Sequence, residues 1–134
     1  MANPNIAAIT SIYGNTAYVV PSTTSATTSW TYNGTTTLTG LTPAASTVNK
    51  ITGIIVANTT SSAVAATVAV GNNATYGSAT VISYPCYQIS VPANASLIVV
   101  DKTTDLYITE NQSLAVISGT ANALTFTAVF EAYT

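Results

Sequence analysis

The chain has 134 residues, and only six of them are charged: two lysines and four acidic residues, with no arginine and no histidine. In an average soluble domain about a quarter of the residues are charged. Because nucleic-acid binding requires clustered cations to neutralise phosphates, Lys50 and Lys102 are too few for a DNA or RNA partner. The near absence of acid–base side chains also predicts that the chain is not an enzyme and holds no cofactor.

The length predicts a single domain over residues 1–134, since chains of this size lie at the mode of domain length. Hydrophobic residues make up 48% of the sequence, but they occur in short runs. None of these runs approaches the roughly 18 apolar residues of a membrane span. Residues 1–5 lack the basic and apolar segments of a secretory signal. We therefore expect no membrane partner, and assembly inside a cell without export by general secretion.

The first part of the chain predicts short strands and two extended segments. A strand over residues 6–13 would end at the Gly-Asn pair that follows it, and a second strand would cover residues 17–20. Residues 22–29 are almost purely Ser, Thr and Ala, which makes them too polar to nucleate a core. This stretch and residues 1–12 are therefore predicted to form an exposed loop or arm.

Turn residues predict two hairpins in the middle of the chain. Asn33-Gly34 lies between two β-prone runs, and both residues tolerate the positive φ of a tight hairpin turn. Residues 50–57 and 63–70 are joined by a polar five-residue link, which predicts a second hairpin. In the return strand, alternation predicts that one face points to the core: Val64, Ala66, Val68 and Val70.

The second half of the chain continues as strands and turns. Residues 80–91 predict a strand interrupted at Pro85, which must lie at a sheet edge or a bulge, and residues 96–100 are apolar enough to be buried on both faces. Residues 124–133 alternate so that the aromatic face points inward. Shorter strands are predicted over residues 106–108 and 114–117. The pattern predicts an all-β fold, an antiparallel β-sandwich that is jelly-roll-like, with an immunoglobulin-like sandwich as the alternative.

The candidate reactive and metal-binding side chains are few. Cys86 is the only cysteine, so no intramolecular disulfide can form, and we predict a buried, inert thiol. Asp101, Asp105 and Glu110 are close enough in sequence to suggest a site for a hard cation. However, Asp-Lys-Thr-Thr-Asp lacks the alternating ligands and the glycine of a calcium loop. We therefore predict a solvated turn and no metal site.

The composition also predicts how the chain contacts other proteins. A charge-poor surface cannot use ion pairs, so tight association must come from apolar burial and hydroxyl hydrogen bonds. Low charge also leaves strand edges undefended, which predicts that a partner covers them. We expect a homo-oligomer, a trimer being one arrangement, and predict an interface on apolar and aromatic residues of the first strands: Ile6, Ile9, Ile12, Tyr13, Tyr18, Trp30 and Tyr32.

Several strand and turn segments, spread over most of the chain, together resemble a known group of proteins. They are the opening strand and turn at residues 5–16, the strands at 50–70 and 90–102, the segment at 106–114 and the closing strand through 130–133. Together they resemble small β-sandwich virion proteins of tailed bacteriophages, particularly those of marine cyanobacterial hosts. Such relatives usually carry more charge, with an acidic pair and a glycine near residue 110, and often a paired acid where Glu131 stands alone.

This resemblance implies a non-enzymatic role in a virus particle. The implied protein is a capsid decoration or cement protein that lies on the capsid exterior and ties capsomers together. Its implied partners are the major capsid protein and copies of itself, with assembly in the host cytoplasm. The alternative is a tail, neck or fibre component, or a glycan-binding surface module that presents Trp30 and tyrosines to a sugar.

Overall fold

A computed structural model describes residues 8–134, whose regular structure is almost entirely β-strand. Within this stretch no helix is long and apolar enough to cross a lipid bilayer. The strands are β1 (Ile12–Val19), β2 (Ser29–Tyr32), β3 (Thr36–Thr39), β4 (Val48–Asn58), β5 (Val64–Gly71), β6 (Val81–Val91), β7 (Ser96–Val100), β8 (Leu106–Thr109), β9 (Ser113–Ser118) and β10 (Leu124–Tyr133).

The strands form two sheets. The larger sheet has seven strands in the order β3-β2-β1-β10-β4-β7, and β8 pairs with the first part of β4 while β7 pairs with a later part. The smaller sheet has the order β6-β5-β9. All of the strand pairs are antiparallel. The prediction of an all-β, antiparallel sandwich is confirmed.

The core lies between the sheets and follows the predicted two-residue alternation. In β10 the inward residues are buried, among them Phe126 and Phe130. In β5 the four predicted core residues are buried as well, and Thr67 and Ala69 on the other face of the strand are also buried. β10 occupies the centre of the larger sheet because it pairs with β1 on one side and β4 on the other. Its inner face therefore meets the core along most of its length.

Trp30 joins the two sheets. Its side chain is completely buried, and its Nε1–H donates a hydrogen bond of 3.1 Å to the carbonyl oxygen of Leu114 in β9. Nearby, the Leu114 N–H donates to the Gly40 carbonyl at 2.7 Å, and Thr27 exchanges backbone hydrogen bonds with Val116. These bonds cover the β9 edge of the smaller sheet, so that edge is not open to a partner strand.

β1 differs from the two short strands predicted for this region. It is one continuous strand that runs through Gly14 and Asn15, so the predicted turn there is wrong. Eight consecutive residues pair in register with β10, from Ile12 opposite Tyr133 onward. Because these ladder bonds satisfy the backbone, tertiary pairing overrides the local turn preference. The start of the predicted first strand, at residues 6 and 7, lies outside the described residues.

The Asn33-Gly34 hairpin is confirmed, but the second predicted hairpin is wrong. Asn33 and Gly34 have φ values of 50° and 79°, and β2 pairs with β3 around them. β4 and β5, in contrast, lie in different sheets and do not pair with each other. The link between them crosses from one sheet to the other.

Asn58 directs this crossing at the end of β4. Its side-chain amide donates to the carbonyl oxygens of Ser62 and Val91, at 2.8 and 2.9 Å. Its side-chain oxygen accepts from the N–H and the hydroxyl of Thr60. An asparagine that bonds the backbone two residues on makes a turn of its own. The chain therefore leaves the larger sheet at this point.

β7 also differs from its prediction. The sequence predicts burial on both faces, but β7 pairs only with β4 and forms part of the edge of the larger sheet. Ile98 at its centre is 65% exposed. An apolar run indicates a fully buried strand only when both faces of its sheet are covered, and the outer face of β7 has no layer packed over it among the described residues. Pro85 lies in β6, an edge strand with three register irregularities, as predicted.

Candidate interaction surface

Three of the six charged residues are grouped in one region of the larger sheet. Lys50 in β4 is the register partner of Glu131 in β10, and its Nζ lies 2.9 Å from Asp105 Oδ2. This hydrogen bond raises the pKa of Lys50 above its ordinary value. The Tyr133 hydroxyl donates to Glu131 at 2.7 Å, and that bond raises the pKa of the phenol. Lys50, Asp105 and Glu131 are therefore paired with one another or with a nearby hydroxyl group.

The candidate carboxylates bind different partners. Asp101 Oδ1 accepts hydrogen bonds from the Thr103 hydroxyl and N–H, which lower the pKa of this carboxyl group. Asp105 pairs with Lys50, whereas Glu110 Oε2 accepts from the Ser46 N–H at 2.9 Å. Across residues 8–134 no three His, Cys, Asp or Glu side chains are grouped so that they could hold a metal ion. The carboxylates cap turns and balance a lysine.

Cys86 is a residue of β6, and its side chain is buried on the core side of that strand. Its thiol donates to the Ala66 carbonyl oxygen at 3.3 Å, and burial raises its pKa above the ordinary value. A raised pKa lowers the thiolate fraction, and the thiolate is the reactive form. The geometry therefore places this side chain among the packing residues of the core.

The outer face of the larger sheet carries an apolar stripe where no charge is present. Cross-strand register aligns Tyr18 in β1 with Thr127 in β10, Thr127 with Ile55 in β4, and Ile55 with Ile98 in β7. Val129 lies two residues from Thr127 on the same face of β10. We call these five residues the uncharged face.

The uncharged face is exposed across four adjacent strands. Tyr18 is 45% exposed, Ile55 42% and Ile98 65%. With about 4.8 Å between neighbouring strands, the row from β1 to β7 is about 14 Å wide. The solvent face of an antiparallel sheet is ordinarily polar, and a contiguous exposed apolar patch marks an interaction site. The arrangement can bury apolar area against a partner without desolvating an ion.

The open edge of β7 borders the uncharged face. Among the described residues, no strand pairs with the edge of β7 that faces away from β4. An open edge presents unpaired N–H and C=O groups, and proteins usually protect it with charges, proline or bulges. In the Ser-Leu-Ile-Val-Val sequence of β7 there is no charge and no proline, and the one irregularity in its pairing with β4 is the extra residue Val99 near its end. A partner that covers the uncharged face can therefore also hydrogen bond to this edge.

The residues that the sequence predicts as an interface do not lie together on one surface of the structure. Ile12, Tyr13 and Tyr18 are exposed on β1, and of these Tyr18 belongs to the uncharged face. Trp30 lies in the core, so its side chain is not available to a partner or a sugar. Tyr32 is half-buried in an edge-to-face contact with Phe130, and Ile9 is half-buried. Ile6 lies outside the described residues.

Ile55, Ile98 and Val129 were not among the predicted interface residues. The run Ile54-Ile55-Val56 did indicate that Ile55 points outward. In a strand, alternation places the middle residue of such a run on the face opposite to its two neighbours. Ile54 and Val56 are completely buried, and Ile55 points outward. The same alternation applies to the run Leu97-Ile98-Val99, in which Ile98 is exposed and its two neighbours are half-buried.

No protein-family model, no curated protein and no solved structure gives a significant match to this chain. The uncharged face is therefore interpreted from its own geometry and chemistry.

Proposed function

We propose that the chain is a non-enzymatic structural protein of a bacteriophage virion, a decoration or cement protein on the capsid exterior. The observation that carries the proposal is the uncharged face, in which Tyr18, Ile55 and Ile98 line up across neighbouring strands. A cement subunit needs a surface that adds buried area across the seams of a shell, and it needs no reactive site. The resemblance of the strand pattern to tailed-phage virion proteins supports the same role.

The charge distribution supports this mode of binding. Lys50, Asp105 and Glu131 are paired within the chain or with its own polar groups, and the exposed charges of Asp101 and Lys102 lie in the turn after β7, outside the uncharged face. Binding through the uncharged face then depends on apolar burial and hydroxyl contacts, which salt screens only weakly. The proposed partners are the major capsid protein and further copies of this chain. In this role the protein is made in the host cytoplasm and added to the shell.

Charge placed on the uncharged face is expected to abolish capsid binding. The double variant Ile55→Lys/Ile98→Lys should bind emptied capsids of the phage that encodes the chain at least about a hundredfold more weakly, because each buried lysine would need a partner that an apolar seam lacks. Both positions are exposed, and repulsion between two lysines that face each other across β4 and β7 should cost about 1 kcal/mol or less, so the variant should remain folded. Co-sedimentation at a series of protein concentrations measures the effect.

Ile82→Lys is the matched control, since Ile82 is similarly exposed but lies in β6 of the smaller sheet. It should bind capsids as the wild-type chain does. Equal binding by the double variant, or equal losses in both variants, would contradict the proposed binding face. Electron cryomicroscopy of intact virions then distinguishes a position on the capsid from one in the tail, neck or fibres.

A further inference from the structure

A groove crosses the outer face of the smaller sheet, on the opposite side of the sandwich from the uncharged face. Its volume is about 660 Å³, within the range of roughly 300–1,000 Å³ that is typical of small-molecule sites. Thr67 of β5 and its register partner Ile117 of β9 form the floor. Tyr84, Tyr87 and Gln88 of β6 line the groove as well, and Thr24 contributes from the exposed 22–28 loop.

Irregular pairing in β6 brings the two tyrosines to the same face. Val68 and Val70 of β5 are two residues apart, but their partners in β6, Cys86 and Ser83, are three apart. One extra residue therefore lies between them, which is the definition of a β-bulge. In a regular strand Tyr84 and Tyr87 would point to opposite faces. The bulge reverses the alternation, so both side chains line the groove.

A second bulge places Gln88 beside them. Ala66 pairs with Ile89 while Val68 pairs with Cys86, so β6 again contains one extra residue. Gln88 has a φ of 50°, an uncommon conformation for a residue with a side chain. Its N–H donates to the Thr67 hydroxyl at 2.9 Å, which holds this geometry in place. No hydrogen bond within residues 8–134 engages its side-chain amide, which is left to bind a ligand.

The tyrosine rings form a corner. Their centroids are 4.8 Å apart and their planes are inclined by 69°, so each ring presents a face in a different direction. Both side chains remain exposed although they contact each other. An apolar surface with two orientations, next to an amide and hydroxyl groups, matches a ligand that has C–H faces and many hydroxyls.

We propose that this groove binds a neutral carbohydrate. The C–H faces of a pyranose ring would pack against Tyr84 and Tyr87, and its hydroxyls would exchange hydrogen bonds with the Gln88 amide and with Thr24. Every side chain that lines the groove is uncharged, so phosphate, sulfate and carboxylate groups would find no counter-charge there. The site is independent of the proposed capsid contact because it lies on the other sheet.

The test is ligand-detected NMR on the purified full chain. The probes are maltotetraose, cellotetraose, mannotetraose and chitotetraose, each at millimolar concentration, with a heparin tetrasaccharide as a sulfated comparison. We expect saturation transfer to at least one neutral tetrasaccharide and weaker transfer to the sulfated one. Tyr87→Ala should weaken binding about two- to tenfold, the range expected for one lost aromatic contact.

Tyr13→Ala is the matched control, since Tyr13 is similarly exposed but lies on β1. It should leave carbohydrate binding unchanged, and circular dichroism should show that both variants are folded. Absence of transfer to all four neutral probes, equal binding by Tyr87→Ala, or preference for the sulfated probe would overturn the proposal. Capsid binding by Tyr87→Ala should equal that of the wild-type chain, so the two proposed functions succeed or fail separately.

Discussion

Replacing Trp30 with alanine is expected to lower the free energy of unfolding by about 3–5 kcal/mol, the usual cost of removing a large aromatic side chain from a core. Trp30 is completely buried, and it is the largest of the fully buried side chains. It also spans the space between β2 and β9, where neighbouring side chains cannot collapse into the cavity without moving a sheet. Urea unfolding followed by far-UV circular dichroism measures the loss, since the variant has no tryptophan fluorescence.

Trp30→Phe separates the hydrogen bond from the volume. Phenylalanine fills part of the space but leaves the Leu114 carbonyl without the indole donor that it has in the wild-type chain. An unsatisfied buried acceptor costs about 1–3 kcal/mol, so this variant should lie between the wild type and Trp30→Ala. The exposed Tyr107→Ala serves as control and should change stability by no more than about 0.5 kcal/mol. If both Trp30 variants match that control, Trp30 does not join the sheets.

Asn58→Asp is expected to lower the free energy of unfolding by about 2–5 kcal/mol, although the side chain keeps its shape. The wild-type amide donates to the carbonyl oxygens of Ser62 and Val91, and an ionised carboxylate can donate to neither. Two acceptors would lose their donor, and a negative charge would lie beside them. The loss should be greater at pH 7 than at pH 4, because protonation restores one donor.

The control for this substitution is Asn72→Asp. Asn72 uses its side-chain oxygen to accept from the Thr80 N–H, and a carboxylate can accept the same bond. Its stability should therefore stay within about 0.5 kcal/mol of the wild type. Equal stability changes at residues 58 and 72 in urea unfolding would show that Asn58 does not direct the crossing between sheets.

The sequence predicted those parts of the fold that depend on local pattern. The alternation in β5 and β10 identified their core faces, and Asn33-Gly34 identified the β2–β3 hairpin. The same local signals gave a turn at Gly14, where pairing with β10 instead keeps the strand extended. Local signals also led to the wrong prediction of a hairpin at the polar link after Asn58. A link between two strands of one sheet and a link that crosses between sheets have similar composition, so the sequence did not distinguish them.

The candidate surfaces depend on which strands become neighbours. Composition predicted contacts without ion pairs, but β1, β10, β4 and β7 are not consecutive in the chain, so no local pattern could align Tyr18, Ile55 and Ile98. Predicting the groove from the sequence would have required the position of the bulge in β6. Tyr84 and Tyr87 are spaced to face opposite sides of a regular strand, and only Pro85 between them indicated the bulge that brings them together.

The dependence of capsid binding on sodium chloride tests most directly the claim that this chain associates through an uncharged surface. The dissociation constant for emptied capsids should change by less than about threefold between 50 mM and 1 M salt, since the Debye length falls from about 14 Å to about 3 Å without weakening apolar contacts. A loss of binding of tenfold or more over that range would show that charged groups hold the complex together, and would contradict the account.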